Sequence, residues 1–123
     1  VEFVLSLLEA DEALQIGLTN EKLILEAAGI KFAQIPIADF GVPENGSEID
    51  SVVLDMARYL ETGGSLVVHC RGGIGRSSMV VSAILTSLGV KSNDALHHIE
   101  KARGLRVPET TAQREWVTDR DSC

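Results

Sequence analysis

The chain of 123 residues holds two cysteines, Cys70 and Cys123, too few for a disulfide framework. A reducing cytoplasm is therefore the expected setting. No run approaches the roughly 18 apolar residues of a membrane helix, and no low-complexity tract marks disorder. Basic residues are scarce, 11 against 18 acidic, which leaves a net charge of −7. Such a chain is a poor candidate for nucleic acid or an anionic membrane. No His, Cys, Asp or Glu cluster has metal-ligand spacing, so we expect no metal and no cofactor. A starting methionine is also lacking. The chain begins at Val1 inside an apolar run, and we expect an N-terminally incomplete domain.

What is present suffices for one domain. At 45% hydrophobic residues the chain can bury one core, and at 123 residues it is too short for two. Residues 1–62 carry 12 acidic and 3 basic side chains, whereas residues 63–123 carry 6 and 8. Most of this asymmetry is a solvated acidic surface. The basic residues around Cys70 need a local account.

The opening Val1–Leu8 is apolar and β-branched and reads as a buried strand, followed by a polar stretch. Asn20 can cap a short helix over Glu21–Ala28 that Gly29 stops. Ile30–Ile37 alternates apolar and polar residues as a second strand, and Ala38–Gly46 is a loop. Ser47 caps a periodic helix with Ile49, Val52, Val53, Met56, Ala57 and Leu60 on one stripe, ended by Gly63-Gly64. Leu66-Val67-Val68 reads as a central parallel strand. The next helix, Arg76–Leu88, is apolar nearly all round and belongs in the middle of the domain. Helices at Asn93–Ala102 and Thr111–Asp119 follow. This order predicts an α/β fold, a central mostly parallel sheet flanked by helices, with ligands at the carboxyl ends of the strands.

Most of the chemistry lies in His69-Cys70-Arg71-Gly72-Gly73-Ile74-Gly75-Arg76-Ser77-Ser78. A strand runs into a glycine-rich turn and then a helix, so several N–H groups can face one spot. The helix amino terminus adds orphan N–H groups and partial positive charge, giving an anion site of phosphate size. Arg76 can supply a two-pronged fork to phosphate oxygens. The same donors favour a thiolate at Cys70, the nucleophilic form of a cysteine.

The His69-Cys70-(five residues)-Arg76-Ser77 pattern resembles the signature of cysteine-dependent protein tyrosine and dual-specificity phosphatases. Its Gly-Ile-Gly-Arg form is closest to tyrosine-specific members and to the cyclin-dependent-kinase-associated branch of the dual-specificity group. The resemblance implies that Cys70 forms a cysteinyl-phosphate and that Arg76 clamps substrate and transition state. It implies that His69 tunes the thiolate through the loop backbone and that Ser77 helps the thiolate leave. Phosphate would be cradled by Arg71, Gly72, Gly73, Ile74, Gly75 and Arg76. Asp39-Phe40-Gly41-Val42-Pro43 resembles the family's general-acid loop, with Ala38 where many members carry proline and no tryptophan before it. Asp39 would then protonate the leaving group and later take a proton from water. Gln113 resembles a water-positioning glutamine, although Thr110-x-x-Gln113 also reads as a capping box. The family normally carries one more strand-bearing segment before the position of Val1.

The implied activity is phosphomonoester hydrolysis on phosphotyrosine proteins or peptides, with some phosphoserine/threonine activity, by a monomer. Other readings are weaker. A buried core cysteine does not explain the spacing and the glycines. A dinucleotide turn would need a third glycine at Ser78, and a Walker turn would need a lysine. Rhodanese-like sulfur transfer usually has a shorter interval between its Cys and Arg. A phosphate-binding pseudophosphatase usually loses Cys, Arg or Asp, whereas Cys70, Arg76 and Asp39 stand intact. A phosphoinositide phosphatase often places lysine in the turn, where this chain has only Arg71. His97 and His98 have no visible partner and are expected at solvent or the core edge.

Overall fold

A computed structural model of the chain describes residues 2–18, 20–38, 41–43, 46–71, 75–104, 108 and 110–122. Three strands, β1 (Phe3–Ser6), β2 (Lys31–Gln34) and β3 (Leu66–His69), form a parallel sheet in the order β2-β1-β3. Parallel neighbours need crossovers. Between β1 and β2 run α1 (Ala10–Gln15) and α2 (Glu21–Ala27); between β2 and β3 runs α3 (Gly46–Glu61). After β3 come α4 (Gly75–Ser87), α5 (Ser92–Arg103), α6 (Thr111–Thr118) and a 3-10 turn, Asp119–Ser122.

The chain steps from β1 to one side and then across to the other. Right-handed crossovers therefore put α1 and α2 on one face and α3 on the opposite face. The side chains agree. Phe3, Leu5, Ala33, Leu66 and Val68 pack into the core with Ile49, Val53 and Met56 of α3 and Met79, Val80 and Ile84 of α4. Each fully buried apolar side chain contributes about 1.5–3 kcal/mol. The other face carries Ser6, Gln34 and His69 in one row, Ser6 in register with both.

Because β1 leads to one face and its neighbour β3 to the other, their carboxyl ends form the topological switch point of an open sheet, where such sheets bind ligands. Cys70 follows β3 directly at this edge, and α4 begins beside it.

The sequence reading needs three corrections. The polar stretch after β1 contains α1, whose six residues are too few for a helical period to show. Asn20 sits at the N-cap of α2, yet its side chain makes no cap hydrogen bond. Its backbone is not in the extended conformation that a capping side chain requires. Ser47 is not the cap of α3, because the helix begins one residue earlier at Gly46 and includes Ser47 in its first turn.

Candidate active site

Arg76 is the second residue of α4, and only 1% of it is exposed. A guanidinium cannot shed its charge, so burial at this depth demands partners. They come from α1 on the opposite face of the sheet and from the chain leaving β2. Nη1 donates to Glu12 Oε1 at 2.6 Å and Nη2 to Oε2 at 2.8 Å, a two-pronged ion pair. Nη1 also donates to the Ile37 carbonyl at 2.9 Å. The guanidinium is thus fixed by α1 on one side and by the chain leaving β2 on the other. Its hydrogen bonds hold the Glu12 carboxyl below the ordinary value of 4.5, against burial, which pushes upward.

Local chemistry explains why Glu12 points there. The Glu9 N–H at the start of α1 donates to Glu12 Oε1 at 3.2 Å, so the carboxylate closes its own helix end while it receives Arg76. Sequence reasoning missed Glu12. The only signal was Glu9-x-x-Glu12, a capping-box spacing without the usual Ser or Thr at its head.

Cys70 is half-buried, carries a free thiol and packs against the core. His69, the last residue of β3, turns to the other face, where Nε2 meets Glu21 Oε2 at 2.7 Å. Ser77 follows Arg76 and is buried. Arg71 is exposed, its Nη1 donating to Gln15 Oε1 of α1 at 3.0 Å. Gly75 opens α4 and is buried. The expected cradle residues Gly72, Gly73 and Ile74 lie outside the described residues, as does Asp39.

The flanks of Asp39 are described. Ile37 is bound to Arg76, as above. Gly41 N–H donates to the Ala38 carbonyl at 2.8 Å, and a Cβ at Gly41 would come within 2.9 Å of that oxygen, so the tight turn needs glycine. The carbonyl of Gly41 accepts from Gln113 Nε2 at 3.0 Å. Gln113 is fully buried; its N–H donates to Thr110 Oγ1 at 3.1 Å, while its side-chain amide reaches the loop. His97 and His98 are exposed on α5. Among the described residues no group of three His, Cys, Asp or Glu could hold a metal.

A parallel sheet whose switch point joins a cysteine to a buried arginine six residues on, at the start of the next helix, defines the cysteine-dependent phosphatase fold. The comparisons agree. A protein-family model described as a polymorphic toxin system DSP-PTPase phosphatase (Tc-R-P) matches residues 1–90, and the chain belongs to this phosphatase family.

Human protein tyrosine phosphatase type IVA 3 is 37% identical over 87 residues, a match covering 69% of this chain and 50% of the relative. The chain spans about half the length of the curated relatives it matches. A crystal structure of kinase associated phosphatase, with serine replacing its catalytic cysteine, superposes with a TM-score of 0.87 at 21% identity. That match covers 99% of this chain and 70% of the other. PTPMT1 in complex with PI(5)P superposes at 0.84 with 23% identity, over 99% and 77% of the two chains. At these identities the two structures establish the fold.

Proposed function

We propose that the chain hydrolyses phosphomonoesters of phosphotyrosine in proteins or peptides, with some activity on phosphoserine and phosphothreonine. The observation that carries this reading is Arg76: a buried guanidinium, locked by Glu12 and Ile37, six residues after a free thiol at a parallel-sheet switch point. In this reading the Cys70 thiolate forms an S–P bond while the P–O ester bond breaks. Asp39 gives its proton to the leaving oxygen, and Arg76 with the N–H groups of residues 71–76 neutralises the phosphoryl oxygens. Asp39 then takes a proton from water, the water oxygen bonds phosphorus, and the S–P bond breaks, aided by Ser77. His69 supports the thiolate through the loop backbone. Gln113 serves the water step through the loop, since its amide holds the Gly41 carbonyl. A free thiol of this kind suits a reducing cytoplasmic setting, and the enzyme is proposed to act as a monomer.

The test is phosphate release from phosphotyrosine, phosphoserine and phosphoinositide substrates by the wild-type chain and by Cys70→Ser and Asp39→Asn. Cys70→Ser abolishes turnover but keeps phosphate binding, because a serine hydroxyl does not ionise here. Asp39→Asn costs about 10²–10⁴-fold in kcat with a poor leaving group and far less with nitrophenol, which departs unaided. Residual turnover by Cys70→Ser removes the thiol from the nucleophile role. An equal Asp39→Asn penalty for both leaving groups removes the acid role. Thiocyanate release from thiosulfate and cyanide would replace the reading with sulfur transfer.

A further inference from the structure

We propose that Glu21 is a positioning residue for the nucleophile's neighbour: its carboxylate, delivered by α2, fixes the His69 imidazole at the root of the Cys70 turn. The inference deepens the phosphatase reading and rests on it. Glu21 and His69 lie 48 residues apart and meet at 2.7 Å, with side chains 15% and 23% exposed. An ionised carboxylate only accepts, so the proton of this bond sits on Nε2. Nε2 is the ring's distal nitrogen. Holding it stops the ring from flipping, and so fixes which way Nδ1 faces. The orientation of a histidine is usually set by such a partner.

The placement of α2 argues that this bond is more than surface decoration. The helix buries none of its residues, and Leu23 and Ile24 are 68% and 67% exposed. Its apolar side chains therefore do not anchor it deeply, whereas its first residue reaches the sheet. Glu21 also lines a cavity of about 120 Å³ together with Ser6, Gln34 and Lys22 and the apolar Ala13, Leu18 and Phe32. It is large enough to admit water beside its polar residues.

Steady-state kinetics on a phosphotyrosine peptide, paired with iodoacetate alkylation of Cys70, tests the clamp in Glu21→Ala, Glu21→Gln, His69→Ala and the Glu21→Ala/His69→Ala double variant. Glu26→Ala, exposed on the same helix, is the control with unchanged rates. Glu21→Ala lowers kcat about tenfold with KM held within about twofold, and adds nothing in the His69→Ala background, the signature of residues acting as a unit. Glu21→Gln, whose Oε1 still accepts from Nε2–H, recovers most of the loss.

Losses that multiply in the double variant, a change confined to KM, or Glu21→Gln as poor as Glu21→Ala would each overturn the clamp. If the wild-type chain releases no phosphate, the phosphatase reading fails and alkylation carries the test alone. Glu21→Ala then slows alkylation about threefold, but only where His69 is present. Equal alkylation rates for wild type and Glu21→Ala overturn it.

Discussion

Arg76 and Arg120 each hold a carboxylate, at two different sites in the molecule. Arg76 is 1% exposed and its partner Glu12 12%, with two parallel hydrogen bonds between them. Arg120 is 19% exposed and its partner Asp50 61%, at 2.9 Å, and the guanidinium also lies 4.7 Å from the centre of the Trp116 ring. The second pair borders an open groove between α3, α4 and α6, where the Asp50 carboxylate faces solvent. The difference separates orientation from decoration. A buried fork has nowhere else to go, so its partner dictates its direction. A surface pair exchanges one set of contacts for water.

Breaking the buried pair gives the largest expected effect. Glu12→Ala leaves the Arg76 charge without its main partner, which costs about 3–5 kcal/mol in chemical denaturation. Arg76→Lys keeps the charge but loses the fork to both carboxylate oxygens, and kcat/KM falls more than tenfold. A kcat/KM loss below tenfold would mean that substrate is clamped elsewhere.

Acid sharpens the same comparison. Arg76 holds the Glu12 carboxyl below its ordinary 4.5, so the pair's stabilisation is fully present above pH 4.5 and is lost as pH falls through the lower folded value. Glu12→Gln cannot lose what it does not have. The stability gap between wild type and Glu12→Gln, read from urea titrations across pH 2–6, is constant above about pH 5 and closes below 4.5. A gap that stays constant to the lowest pH would mean that Glu12 ionisation does not support the fold.

The two partners of Arg76 also show what a sequence conveys. Cys70, Arg76 and the glycines between them form a local pattern, because a phosphate-sized cradle must be built from consecutive residues. The buried helix behind it was equally legible, since the apolar residues of α4, Met79 to Val81 and Ala83 to Leu85, are spread nearly all round it. Glu12 and Glu21 were not. Each reaches the site only because β1 and β2 are parallel neighbours and the crossover carries α1 and α2 over the sheet, 64 residues from Arg76 and 48 from His69. Such contacts leave no periodicity, and α1 is too short to announce itself. Gln113 lies between the two cases. Its spacing from Thr110 signalled a cap, and half of that cap exists, but the side-chain amide was drawn to Gly41 by a partner 72 residues distant.

Gln113→Ala tests a buried contact that carries no formal charge. It deprives the Gly41 carbonyl of a donor and empties a fully buried site, at a cost of about 1–3 kcal/mol. If the amide works through the acid loop, kcat falls while Cys70 alkylation by iodoacetate stays at the wild-type rate. Slower alkylation would mean that the amide acts on the nucleophile turn instead.

Asp50→Ala is expected to do least. Asp50 is largely solvated, so its Coulomb gain with Arg120 is offset by ordering two side chains and is screened by salt. The guanidinium keeps its contact with the Trp116 face after the carboxylate is gone, and that contact contributes about 0.5–1 kcal/mol by itself. The variant should therefore lose no more than about 1 kcal/mol, with kcat unchanged. In about 1 M salt, where the screening length shrinks to about 3 Å, even that difference should vanish, whereas the Glu12→Ala penalty should persist because its charges are out of solvent. A loss for Asp50→Ala as large as that for Glu12→Ala, and equally resistant to salt, would show that exposure does not separate these two arginines. The geometric reason for treating Arg76 as the oriented one would then fail.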